Sequence, residues 1–214
     1  MIPPTQRKMR GATQQRERKA QPTREKLLQT ALSLLETHFP EDVTGDMLLE
    51  HSGVSRGSLY HHFDDVSDLL EQALVSRFSA QVDTNIIVLS HMIKMSRSAD
   101  DMYRRLCAVT NLMQSPENKR SRFVRARLIG FAEGNDRLLQ RLGNEQKRLT
   151  DALTALLATA QQNGWMNTSF DPKTAALFIQ AYTLGRVIDD ISIDHVDQDS
   201  WNDLINRVTK LVFC

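Results

Sequence analysis

Residues 44 to 63 read Thr-Gly-Asp-Met-Leu-Leu-Glu-His-Ser-Gly-Val-Ser-Arg-Gly-Ser-Leu-Tyr-His-His-Phe, a pattern that few folds accommodate. It predicts two short helices meeting at a glycine turn. Thr44 is a good N-cap for the first, Met47 and Leu48 supply its apolar side, and Ser52-Gly53 stops it where glycine can turn left-handed. Val54 plugs the corner. Ser55 caps the second helix, in which Leu59 and Phe63, four apart, share one face and leave Gly57, Ser58, Tyr60 and His61 toward the other. The product is a helix-turn-helix with its second helix displayed.

A helix that enters the major groove N-terminus first needs small residues where backbone nears phosphate and polar ones that reach base edges. Gly57 and Ser58 are small. Arg56 can grip guanine O6 and N7 bidentately, Ser58 and His61 can donate or accept, and Tyr60 and His62 can bond phosphates. The alternative is a helical hairpin whose polar side is merely solvated.

The run Gly53-Val-Ser-Arg-Gly-Ser-Leu-Tyr-His-His-Phe63, followed by Leu69-Leu70, resembles the recognition element of the TetR family of bacterial transcription regulators. Thr44 resembles that family's phosphate-contacting threonine. The similarity reaches upstream to Thr23-Arg-Glu-Lys-Leu-Leu28 and Ala31, and downstream to about Phe78. The resemblance implies an all-α homodimer: an N-terminal three-helix DNA-binding domain over residues 23–78, and a C-terminal helical domain over 79–214 that dimerises and binds an effector. It also implies a repressor released from its operator by a small molecule. A ligand-independent DNA-binding dimer, or an activator, is the alternative.

Composition agrees with helices: aromatics make up 6% of the 214 residues, with nine Gly and six Pro. Two cysteines, Cys107 and Cys214, make no disulfide framework and suggest a reducing cytoplasm. No stretch approaches the ~18 consecutive apolar residues of a membrane span, and no signal peptide opens the chain. Phosphate loops, Cys-x-x-Cys and His-Glu-x-x-His are lacking, so an enzyme is not expected. Neither a cofactor nor a metal is expected; adjacent His61 and His62 diverge by about 100 degrees on a helix.

Charge is uneven. Residues 1–26 carry eight Lys/Arg against two acids, whereas residues 27–77 carry two against nine, a net of −7 in the region holding the motif. Asp64-Asp65-Val66 stands where family relatives commonly place basic residues, among them a phosphate-bonding lysine. Because phosphate neutralisation supplies most nonspecific affinity, such a head needs another source of cations. Residues 1–22 read as a flexible basic arm, whose Arg7, Lys8, Arg10, Arg16, Arg18 and Lys19 would follow the DNA backbone or the minor groove. A solvated tail is the bland alternative.

Beyond the arm, Leu27, Leu28, Ala31, Leu34, Leu35 and Phe39 form the stripe of a first helix ended by Pro40, and Leu70, Ala73, Leu74 and Phe78 mark a fourth. Further helices are expected near 83–95, 99–114, 118–133, 136–163, 172–193 and 199–212. The stripe Leu138, Leu142, Leu149, Leu153, Leu156 and Ala160, with small residues Ala175, Ala176, Ala181 and Gly185, suggests a four-helix dimer interface, unless both faces serve the internal core. Tyr103, Asn111, Met113, Arg127, Tyr182 and Arg186 are polar or adaptable side chains in apolar surroundings and so candidates for an effector pocket. The cluster Lys119, Arg120, Arg122, Arg125 and Arg127 reads first as a solvated face and second as a site for an anionic effector.

Overall fold

The computed structural model describes residues 22–213, which are almost wholly helical and include no strand. The basic arm lies outside them. The chain divides into two compact units at Arg77 and Phe78. In the first, helix α1 spans 22–34, α2 Gly45–Ser52 and α3 Arg56–His62; α4, Val66–Met95, supplies residues to both units. The head's core gathers Leu27, Leu28, Ala31, Leu34, Leu35, Val43, Leu48, Leu59, Phe63, Leu69, Leu70 and Ala73. The first helix ends earlier than its apolar spacing predicts. The amide and the ring Nδ1 of His38 both lie against the Leu34 carbonyl, at 2.9 and 3.1 Å, and close the chain there. Phe39 consequently falls beyond the helix and is exposed.

The acids after α3 serve the start of α4. Asp65 accepts a hydrogen bond from the Asp68 amide at 2.7 Å, and Asp68 reaches back to the Asp64 amide at 3.3 Å and accepts from Gln72 at 2.8 Å. Two N–H groups at the helix start are thus satisfied reciprocally, with negative charge at the positive end of the helix dipole.

The second unit contains α5 Ala99–Met113, α6 Lys119–Ala132, α7 Asp136–Gln162, α8 Pro172–Gly185, a short α9 Val187–Asp190, and α10 Gln198–Phe213. One continuous α4 replaces the fourth helix and the 83–95 segment expected separately, and the 172–193 segment breaks at Arg186. Leu138, Leu142, Leu149, Leu153, Leu156, Leu157 and Ala160 of α7 are buried within the chain, as are Ala175 and Ala176. That stripe therefore serves the internal core, with α8 packed along α7. What α8 and α9 leave exposed is Leu177, Phe178, Ala181 and Ile188, of which Ala181 alone belongs to the expected set. No described helix is long and apolar enough to cross a membrane.

Candidate nucleic-acid interface

The two short helices of the head are fixed by their caps. Thr44 Oγ1 accepts from the Met47 amide at 3.3 Å, Gly53 takes the left-handed conformation at φ 61°, and Ser55 Oγ accepts from the Ser58 amide at 3.3 Å. A side chain at Gly53 would be strained, since left-handed backbone brings Cβ against the following carbonyl. Ser52 closes the corner by accepting from the Val54 amide at 3.2 Å. Leu59 of α3 and Phe63 at its C-cap are buried, whereas Arg56, Gly57, Tyr60 and His61 are exposed. Ser58 is half-buried, its hydroxyl 2.9 Å from that of Ser55. A methyl added at Gly57 would meet nothing within 4 Å, so the fold itself does not require glycine there.

His62 differs from its neighbour. Its ring is half-buried, edge-on to both His61 and Phe63, and Arg24 lies over the Phe63 ring 5.5 Å from its centroid. Burial first, then the charges of His61 and Arg24, hold the His62 ring below the usual histidine range. Arg56 has a partner that spacing alone conceals: its Nη2 donates to Asp46 Oδ1 of α2 at 2.6 Å. Arg7, Lys8, Arg10, Arg16, Arg18 and Lys19 lie outside the described residues.

In the second unit the effector candidates separate. Tyr103 donates to the Asn206 carbonyl at 3.0 Å, tying α5 to α10, and Tyr182 lies 3.4 Å from the Thr110 hydroxyl, tying α8 to α5. Burial raises the Tyr182 phenol above its ordinary range. Asn111 keeps a buried Oδ1 without a partner. Met113 is half-buried, and its carbonyl accepts from Arg122 at 2.9 Å. Arg186 is buried over the Trp201 ring and donates to Gln198 at 3.1 Å, whereas Arg127 is exposed on α6. The basic cluster is not one solvated face. Arg122 is buried, its Nε and Nη2 on the two oxygens of Asp190 at 2.5 and 2.7 Å, and Arg125 donates to Gln146 at 2.8 Å from a largely desolvated position that lowers its basicity. Sequence reasoning could not find Asp46, Gln114 or Trp201; the indole of Trp201 donates to Gln114 Oε1 across 87 positions. Among the described residues no group of three His, Cys, Asp or Glu could hold a metal ion.

Comparison with known proteins bears on both units. Residues 27–73 match the model of the bacterial regulatory proteins of the tetR family. A comparison with curated proteins finds no match. Over nearly the whole chain the fold is that of solved regulators. Salmonella enterica GusR is 19% identical with a TM-score of 0.66, covering 90% of this chain and 96% of its own. A TetR-family transcriptional regulator from Agrobacterium tumefaciens is 17% identical with a TM-score of 0.63, covering 91% and 100%. FadR from Bacillus subtilis, solved in complex with stearoyl-CoA, is 16% identical with a TM-score of 0.62, covering 86% and 96%. Through residues 27–73 the chain carries the helix-turn-helix head of the bacterial regulatory proteins of the tetR family, on a fold shared with solved transcriptional regulators.

Proposed function

We propose that this regulator is a homodimeric repressor that reads a two-fold operator with α3 and leaves it when a small molecule binds the C-terminal domain. The observation that carries the reading is the outward face of α3. Arg56, Gly57, Tyr60 and His61 point away from a core held by Leu59 and Phe63, and the N-caps Thr44 and Ser55 open both helices. Arg56, Ser58 and His61 are assigned to base edges, and Thr44, Ser55, Tyr60 and His62 to phosphates. Ser55 acts mainly by fixing the start of α3, because its hydroxyl is engaged in the cap. The arm's Arg7, Lys8, Arg10, Arg16, Arg18 and Lys19 supply the phosphate neutralisation that the acidic head lacks.

Dimerisation uses the exposed apolar face of α8 and α9, since two heads must sit ~34 to 36 Å apart to use successive major grooves. The effector is assigned to Tyr103, Asn111, Met113, Tyr182 and Arg186, with Arg127 as a peripheral contact. A fold neighbour solved with stearoyl-CoA supports a ligand-holding domain. The test is selection of bound duplexes from a randomised pool. The expected product is an inverted repeat, and a small molecule that raises the melting temperature should weaken its binding. A ligand that binds tightly yet leaves operator affinity unchanged would favour a ligand-independent dimer. Deleting residues 1–20 should flatten the log-affinity versus log-salt slope by roughly 5, if three cations per subunit touch phosphate.

A further inference from the structure

We infer that Asp46 is a specificity-determining residue, a carboxylate that positions the Arg56 guanidinium for a guanine while opposing its use on any DNA. The inference rests on the assignment of Arg56 to a base edge. Asp46 lies in the first turn of α2 and Arg56 is the first residue of α3, so the 2.6 Å bond joins the N-terminal ends of the two helices. Both side chains are open to solvent, 65% exposed for Arg56 and 83% for Asp46.

Arginine offers five N–H donors in a rigid planar fork on a flexible stem. Binding one donor to Asp46 fixes the plane of that fork before DNA arrives, so less rotamer freedom is lost when the remaining donors meet O6 and N7. The same carboxylate carries a full negative charge toward any duplex, whatever its sequence. It penalises the phosphate-only encounters that an unpaired surface arginine would favour. Asp46 thus lowers affinity for all DNA and lowers it least where a guanine rewards the oriented fork.

The test uses full-length protein on a duplex recovered from a randomised pool, on the three duplexes that replace the guanine facing Arg56, and on poly(dI-dC). Asp46→Asn should tighten binding to poly(dI-dC) at low salt, shrink the guanine preference roughly two- to five-fold as expected for an exposed ion pair, and leave the melting temperature unchanged. Asp46→Glu should restore part of the preference. In an Arg56→Ala background, Asp46→Asn should tighten nonspecific binding without altering any base preference. An unchanged guanine preference in Asp46→Asn would overturn the inference, as would a preference shift that persists without Arg56, which would make Asp46 a base reader itself. Failure of the underlying assignment shows elsewhere, as an Arg56→Ala single variant whose base preferences match those of the native protein.

Discussion

Two arginine–aspartate pairs of nearly equal length sit in opposite surroundings. Arg56–Asp46 spans 2.6 Å with both partners open to water, and Arg122–Asp190 spans 2.5 Å with side chains only 5% and 7% exposed. In the head, water can replace the carboxylate at little cost, because exposed pairs contribute only about 0 to 1 kcal/mol. In the second unit nothing can replace it. The Met113 and Ser115 carbonyls occupy Nη1 of Arg122 at 2.9 and 3.0 Å, Asp190 fills Nε and Nη2, and the bond joins α6 to α9 at the end of α5. The same chemistry is exchangeable where it is wet and a lock where it is dry.

The lock should break with the largest effect. Asp190→Ala leaves a buried guanidinium without its counter-charge and should cost about 3 to 5 kcal/mol, read as a drop in the urea midpoint. Arg122→Met combined with Asp190→Leu should recover most of that loss, since apolar residues of similar volume avoid the desolvation penalty. The pair also carries an acid dependence. The hydrogen bond from Arg122, opposed by burial, holds the Asp190 carboxyl below its ordinary value. The folded carboxyl therefore binds protons less readily than the unfolded one, so its contribution is complete above the ordinary aspartate range and is lost as pH falls through the depressed value. A double variant should lack that part of the acid transition. An Asp190→Ala protein as stable as the native one would show that the pair locks nothing.

The wet pair should break with a smaller effect of another kind. Arg56→Ala should leave thermal stability within about 0.5 kcal/mol, the usual range for a surface change, and cost about 1 to 3 kcal/mol of operator binding. Preference should relax at one base pair per half-site. Operator variants provide the measurement; a uniform loss over all of them would move Arg56 to the phosphates.

The contrast also explains what the sequence disclosed. The head was legible because its signals are local: Thr44 and Ser55 cap, Gly53 turns, and Leu59 and Phe63 recur at helical spacing. Arg122 and Arg125 were misread as part of a solvated face because their burial depends on partners 68 and 21 positions away. The α7 stripe was visible, but periodicity shows an apolar face without saying whether it meets its own chain or another. Asp65 and Asp68 register as charge in a count and become a helix start only when their amide partners are seen.

The caps offer a break that acts on the head without touching either pair. Ser55→Ala and Asp65→Ala each remove an acceptor from a helix N-terminus and should cost about 0.5 to 2 kcal/mol in thermal or denaturant unfolding. Ser55→Gly should cost only a few tenths, because glycine leaves the cap open to water. If the alanine and glycine proteins were equally destabilised, loss of the cap bond would not be the cause.

The smallest expected effect belongs to His62, which stands between the wet and the dry environments. Burial, then His61 and Arg24, depress its basicity in the free head. A phosphate brought close on binding would favour the imidazolium and raise that basicity. The bound complex would then hold more proton than the free protein, so operator affinity should rise as pH falls from 7.5 to 5.5, by less than about tenfold per subunit. Folding has the opposite sign. A ring whose basicity is depressed in the fold stabilises it above the unfolded value and loses that contribution as pH falls through the folded one, so melting at each pH separates the two effects. Affinity measured at constant ionic strength for native protein and His62→Gln gives the comparison. The glutamine variant should flatten the profile. A native profile that is already flat would assign His62 to packing against Phe63 and leave the phosphate contacts of this helix to Tyr60.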